Sequence, residues 1–129
     1  MSSQFLDIPI YRKALEIRML SASISHYLRD DLALLKEDGS EDQDIYVSGD
    51  IIQQSSALAP EILNAEKNRF HSDKKYVHLR SLSKLTKLLY KSSKRLELAN
   101  TNGSSDYLKM LQKEIQSFNS LRRKWILTL

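Results

Sequence analysis

Residues 72–100 read SDKKYVHLRSLSKLTKLLYKSSKRLELAN. Within them Leu82, Leu85, Leu89 and Leu96 recur at steps that 3.6 residues per turn place in a single row along an α-helix. On the same helical wheel Arg80, Lys84, Lys87, Lys91, Lys94 and Arg95 fall within an arc of about 100°, centred opposite the leucines. A helix built this way buries one side against other helices and turns a basic face outward. Ser72, a residue type that accepts bonds from free helix amides, marks its start.

The flanking sequence supplies three more helices. Asp7-Ile8-Pro9 opens the first, since Asp caps free amides and Pro lacks only an N–H that the first turn does not use. It is expected to run to about Asp38, where Gly39 stops it, with Ile10, Ala14, Ile17, Ile24, Leu28 and Leu35 as its core stripe. A second apolar row, Ile8, Tyr11, Leu15, Met19 and Ala22, is rotated away from that stripe. One buried face is enough for an isolated bundle, so Ile8, Tyr11, Leu15 and Met19 are read as a contact with another subunit.

After an acidic loop at 39–44, the second helix is expected over about Ile45 to Asn68, with Ile52, Ser55, Ala59, Ile62 and Leu63 inward. Pro60 removes a backbone hydrogen bond, which predicts a kink or a late start near Ser56. Glu66 falls on the inward side and needs a partner or a place at the bundle end. Asn100 to Ser105 is a turn, with Ser104 or Ser105 capping a last helix whose core row is Leu108, Leu111, Ile115, Phe118, Trp125 and Leu129. Arg122 stands between Phe118 and Trp125 at core spacing, so it either lines a subunit contact or pairs with an inward acid such as Glu66. Four long helices joined by short loops pack as antiparallel neighbours, so the expected fold is all-α, an antiparallel up-down four-helix bundle, with 1–129 as one domain.

Composition agrees with that class and narrows the chemistry. Only three glycines and two prolines among 129 residues favour helices over turn-rich β architecture. With no cysteine, disulfides, thiolate nucleophiles and Cys-ligated zinc are excluded. No apolar run reaches the roughly 20 residues of a membrane span, nor does the start read as a signal peptide, so a cytoplasmic protein with no membrane partner is expected. Glycines at 39, 49 and 103 alone cannot build a phosphate-cradling loop or a dinucleotide fingerprint. The Glu-x-x-His pairs of di-iron bundles are missing. His71 and His78 share a face, with Glu66 or Asp73 in reach, but two ligands at one spacing specify little, and packed or hydrogen-bonded histidines are the simpler reading. No serine sits in a nucleophile elbow. No enzyme, metal or cofactor is expected.

The net charge of +4 conceals a strong polarity. Residues 67 to 95 hold ten Lys or Arg against Asp73 alone, whereas residues 30 to 50 hold eight acids against Lys36 alone. The six cations of the third helix span roughly 22 Å along four turns, the reach of several successive phosphates. Tyr76 and Tyr90 flank that side, and Lys109, Lys113 and Lys124 form a further basic row on the last helix. Two partners fit the pattern: a nucleic acid, contacted without sequence preference, or an acidic protein surface such as the 30–50 segment of a second copy.

Three motifs carry a family resemblance over about residues 5 to 125. They are the lead Ile10-Tyr11-Arg12-Lys13-Ala14-Leu15-Glu16-Ile17, the element Asn64-Ala65-Glu66-Lys67 closing the second helix, and the start Ser72-Asp73-Lys74-Lys75-Tyr76-Val77 before a Leu-rich helix. In this order the chain resembles the four-helix bundle family of bacterial ribosomal RNA intervening-sequence proteins and the accessory variability determinant proteins of diversity-generating retroelements. Lys67 replaces the family's Ala-Glu-Gly glycine, and Lys84 stands where helix 3 usually carries a glycine. The resemblance implies a homopentamer of bundles with a basic surface. In the retroelement branch that surface binds nucleic acid and a reverse transcriptase. In the intervening-sequence branch it implies a helical bundle of obscure biochemical role.

Overall fold

The computed structural model describes residues 7–32, 39, 44–99 and 105–129, of which 29–32 and 44–45 by backbone alone. These form five helical segments: α1 (Pro9–Leu32), α2 (Asp44–Ser56), α3 (Leu58–Lys67), α4 (Ser72–Ala99) and α5 (Ser105–Ile126). Leu35, most of the acidic segment and the 100–104 turn lie outside the described residues. Gly39 has φ +84°, a backbone region that favours glycine.

Pro9 opens α1 as its first residue, but the capping differs from expectation. The Ile8 carbonyl accepts from the amides of Tyr11 (3.0 Å) and Arg12 (3.2 Å), and the Asp7 carboxylate accepts from no helix amide among the described residues. At the α2–α3 junction Ala57 keeps right-handed helical angles (φ −84°, ψ −12°), so the chain continues in nearly the same sense. Pro60 has no N–H for the Ser56 carbonyl, and the break falls there, where the sequence placed it. The buried stripe runs through the break at helical steps, Val47, Ile51, Ser55, Leu58 and Ile62, so Ile51 is the core residue at 0% exposure, while Ile52, expected inward, is 38% exposed. Ser55, Ala59 and Ile62 are buried as expected, and Leu63 packs on the core edge.

α1 contacts α2 and α5, and α4 contacts α2, α3 and α5, which closes a four-sided ring with α2–α3 as one side. Their directions follow from side-chain contacts. Trp125 Nε1 donates to Glu66 Oε1 (2.7 Å), joining the ends of α5 and α3, and Ile8, Pro9 and Ile10 line the same cleft. Lys75 Nζ, near the start of α4, donates to the Leu129 carbonyl (3.1 Å). At the other end the Tyr27 and Tyr107 rings stand 5.7 Å apart, pairing the later part of α1 with the start of α5. Neighbours therefore alternate up and down.

The core runs the length of the bundle: Ile10, Ala14, Ile17, Ile24 and Leu28 from α1; Leu82, Leu89 and Leu96 from α4; and Leu108, Leu111, Ile115, Phe118 and Trp125 from α5. Leu85 and Leu129 pack at its edge. Each fully buried Leu or Ile contributes about 1.5–3 kcal/mol by leaving water, which makes this core the main term holding the fold. Small polar residues complete it. Ser21 continues the α1 stripe, Thr86 and Ser93 the α4 row, and Ser25 Oγ meets Ser48 Oγ at 2.8 Å between α1 and α2.

Candidate nucleic-acid interface

Arg80, Lys84, Lys87, Lys91, Lys94 and Arg95 are all exposed, on the side of α4 opposite Leu82, Leu89 and Leu96. Core burial fixes the rotation of α4, and that rotation turns all six cations outward. They are not equivalent. The Arg80 guanidinium lies 5.0 Å from the centre of the Tyr76 ring, and Lys94 Nζ lies 5.8 Å from that of Tyr90 and 3.6 Å from Glu97. Lys84, Lys87 and Lys91 have no ion-pair partner among the described residues. An unpaired lysine ammonium carries its full charge to any incoming anion. Tyr76 is exposed and Tyr90 half-buried, so Tyr76 is the better placed of the two for stacking on a base.

Lys109, Lys113 and Lys124 are exposed on α5. Between α4 and α5 a cleft of about 330 Å³ is lined by Ser83, Thr86, Lys87, Tyr90, Gln116, Asn119 and Arg122. Of the two roles that its spacing allows Arg122, the structure removes one. Glu66 does not pair with Arg122; it accepts from Trp125 and from Arg69 Nη2 (3.0 Å). Burial, reinforced by the neighbouring Arg123 charge, pushes the Arg122 pKa below its ordinary value. Its core-like spacing between Phe118 and Trp125 was the available signal; that it would face α4 depended on tertiary packing.

The second row of α1 is divided by the fold. Tyr11, expected at a subunit contact, is 7% exposed and belongs to the core of its own chain, because the start of α1 lies against the ends of α3 and α5. Ile8 and Leu15 pack on the core edge, and Met19 is 68% exposed. Tyr27, about two helical turns further along α1, leaves with Tyr107 and Met110 an apolar rim around a shallow α1–α5 groove.

His78 Nδ1 meets Glu61 Oε2 at 2.9 Å, tying α4 to α3, and His71 is exposed. Among the described residues no three His, Asp or Glu side chains gather as a metal-binding group, and no helix is long and apolar enough to cross a membrane. No family model, curated protein or solved structure matches the chain.

Proposed function

We propose that this chain is a non-enzymatic accessory protein that binds nucleic acid through the outward face of α4 and works as a homo-oligomer. The observation that carries the reading is the face itself: six exposed cations along one helix, three of them with neither an ion-pair nor a ring partner among the described residues. Such a row neutralises successive phosphates and releases their counterions, giving affinity without sequence preference. The family resemblance adds a homopentameric ring that would repeat the face around its surface, and a reverse transcriptase as a protein partner. The absence of cysteine fits a cytoplasmic setting.

The test is charge reversal. Replacing Arg80, Lys84, Lys87 and Lys91 by Glu should abolish salt-sensitive binding of RNA or DNA while the helical circular-dichroism signal stays unchanged. A wild-type chain that binds neither at low salt sinks the reading.

A second reading, a protein-docking bundle with no nucleic-acid role, draws on the apolar rim of Met19, Tyr27, Tyr107 and Met110. Under it the basic face meets an acidic protein surface, and the same four reversals would lower the mass measured by light scattering instead.

A further inference from the structure

Arg122 is the feature of this bundle that the fold itself does not explain. Its Nε is buried with no hydrogen-bond partner, and no ion pair to it forms among the described residues. Asn119 Oδ1, one helical turn away, is buried and unpartnered as well. Both residues line the α4–α5 cleft, where the other charged group is a second cation, Lys87. A half-buried guanidinium with no acid lining its cleft is destabilising as it stands, because burial weakens its hydration. An incoming anion offsets that cost.

We propose that this cleft is a phosphate-binding site, with Arg122 and Lys87 holding the oxyanion. The guanidinium offers a fork of N–H donors suited to two oxygens of one phosphate, and Lys87 supplies a mobile point charge from the cleft mouth. Ser83, Tyr90 and Gln116 line the rest and carry further donors. No hydrogen bond fixes the Asn119 amide among the described residues, so it is free to turn its NH₂ inward. Thr86 contributes no donor, because its hydroxyl is committed to the Leu82 carbonyl (2.7 Å). Burial lowers the Arg122 pKa, yet a guanidinium is not deprotonated inside proteins, so the group keeps the charge an oxyanion needs. Lys87 belongs both to the cleft and to the outward basic row, so a strand lying along α4 would insert one backbone phosphate here. That last step rests on the nucleic-acid reading; the affinity of the cleft for phosphate does not.

The experiment follows the arginine Nε–Hε resonances of the full chain by ¹⁵N NMR at low ionic strength while inorganic phosphate is added. One resonance, missing from the spectrum of Arg122→Gln, should shift saturably, and chloride at the same ionic strength should not reproduce the shift. In Lys87→Gln, an exposed position that leaves the fold intact, the dissociation constant should rise about tenfold, the loss expected for one charge-assisted hydrogen bond. Arg123→Gln, outside the cleft lining, should change it by less than about twofold. No saturable shift, or equal effects of Lys87→Gln and Arg123→Gln, overturns the site. A second arm adds a single-stranded oligonucleotide. Displacement of phosphate from Arg122 supports the backbone assignment. An oligonucleotide that binds but leaves the Arg122 resonance unmoved overturns that assignment and leaves the α4 reading standing. Phosphate binding at Arg122 in a chain that binds no oligonucleotide overturns the α4 reading and leaves the cleft as a site for free phosphate.

Discussion

Glu66 illustrates how one inward carboxylate is accommodated: one oxygen accepts from Trp125 and the other from Arg69, so neither the charge nor the indole N–H is left alone in the interior. Glu66→Ala strands the indole donor and should destabilise the chain by about 1–3 kcal/mol, with a changed Trp125 emission maximum as the local sign. Ser21 makes the opposite case. Its hydroxyl is fully buried with no partner among the described residues, so Ser21→Ala should be neutral or stabilise by up to about 1 kcal/mol in urea denaturation. Lys13 bridges Glu114 (2.6 Å) and Glu16 (2.9 Å), chiefly through its hydrogen bond to Glu114, and its pKa is raised above the ordinary 10.5. A raised lysine pKa stabilises the fold fully below 10.5 and loses that contribution as pH climbs through the folded-state value. The stability gap between wild type and Lys13→Met should therefore be steady near about pH 8 and shrink by about pH 11.5.

Among the elements, the α2–α3 junction was legible because proline acts through covalent chemistry: without an N–H it interrupts the ladder wherever the chain folds. Since Pro60 already sits in the first turn of α3, Pro60→Ala should change stability by less than about 1 kcal/mol, while amide exchange near Ala57 slows as the ladder closes. The choice of Ile51 over Ile52 for the core was not legible. Both are equally apolar, and the choice rests on the packing of α2 against its neighbours, which buries Ile51 and brings Ser48 to Ser25 of α1. In α4, by contrast, periodicity and structure coincide, because leucines and cations are segregated so sharply that a single rotation buries one set and exposes the other.

For the whole molecule, the basic face sets a quantitative expectation. If four to six cations of α4 engage phosphates, the logarithm of the binding constant should fall with log salt at a slope of about −3 to −5, and reversing four charges should flatten it. Oligomerisation is tested at the α1–α5 rim: Met19→Glu with Met110→Glu should bring the light-scattering mass down to 14.9 kDa. Tyr11→Glu should instead unfold the chain, because Tyr11 lies in its own core. The sequence alone determined the helices, the leucine row and the outward basic face, since helical periodicity is a local property that any packing must respect. Tertiary structure decided what depends on neighbours. It took Tyr11 into the core, gave Glu66 to Trp125 and Arg69, and left Arg122 in a cleft lined by no acid among the described residues.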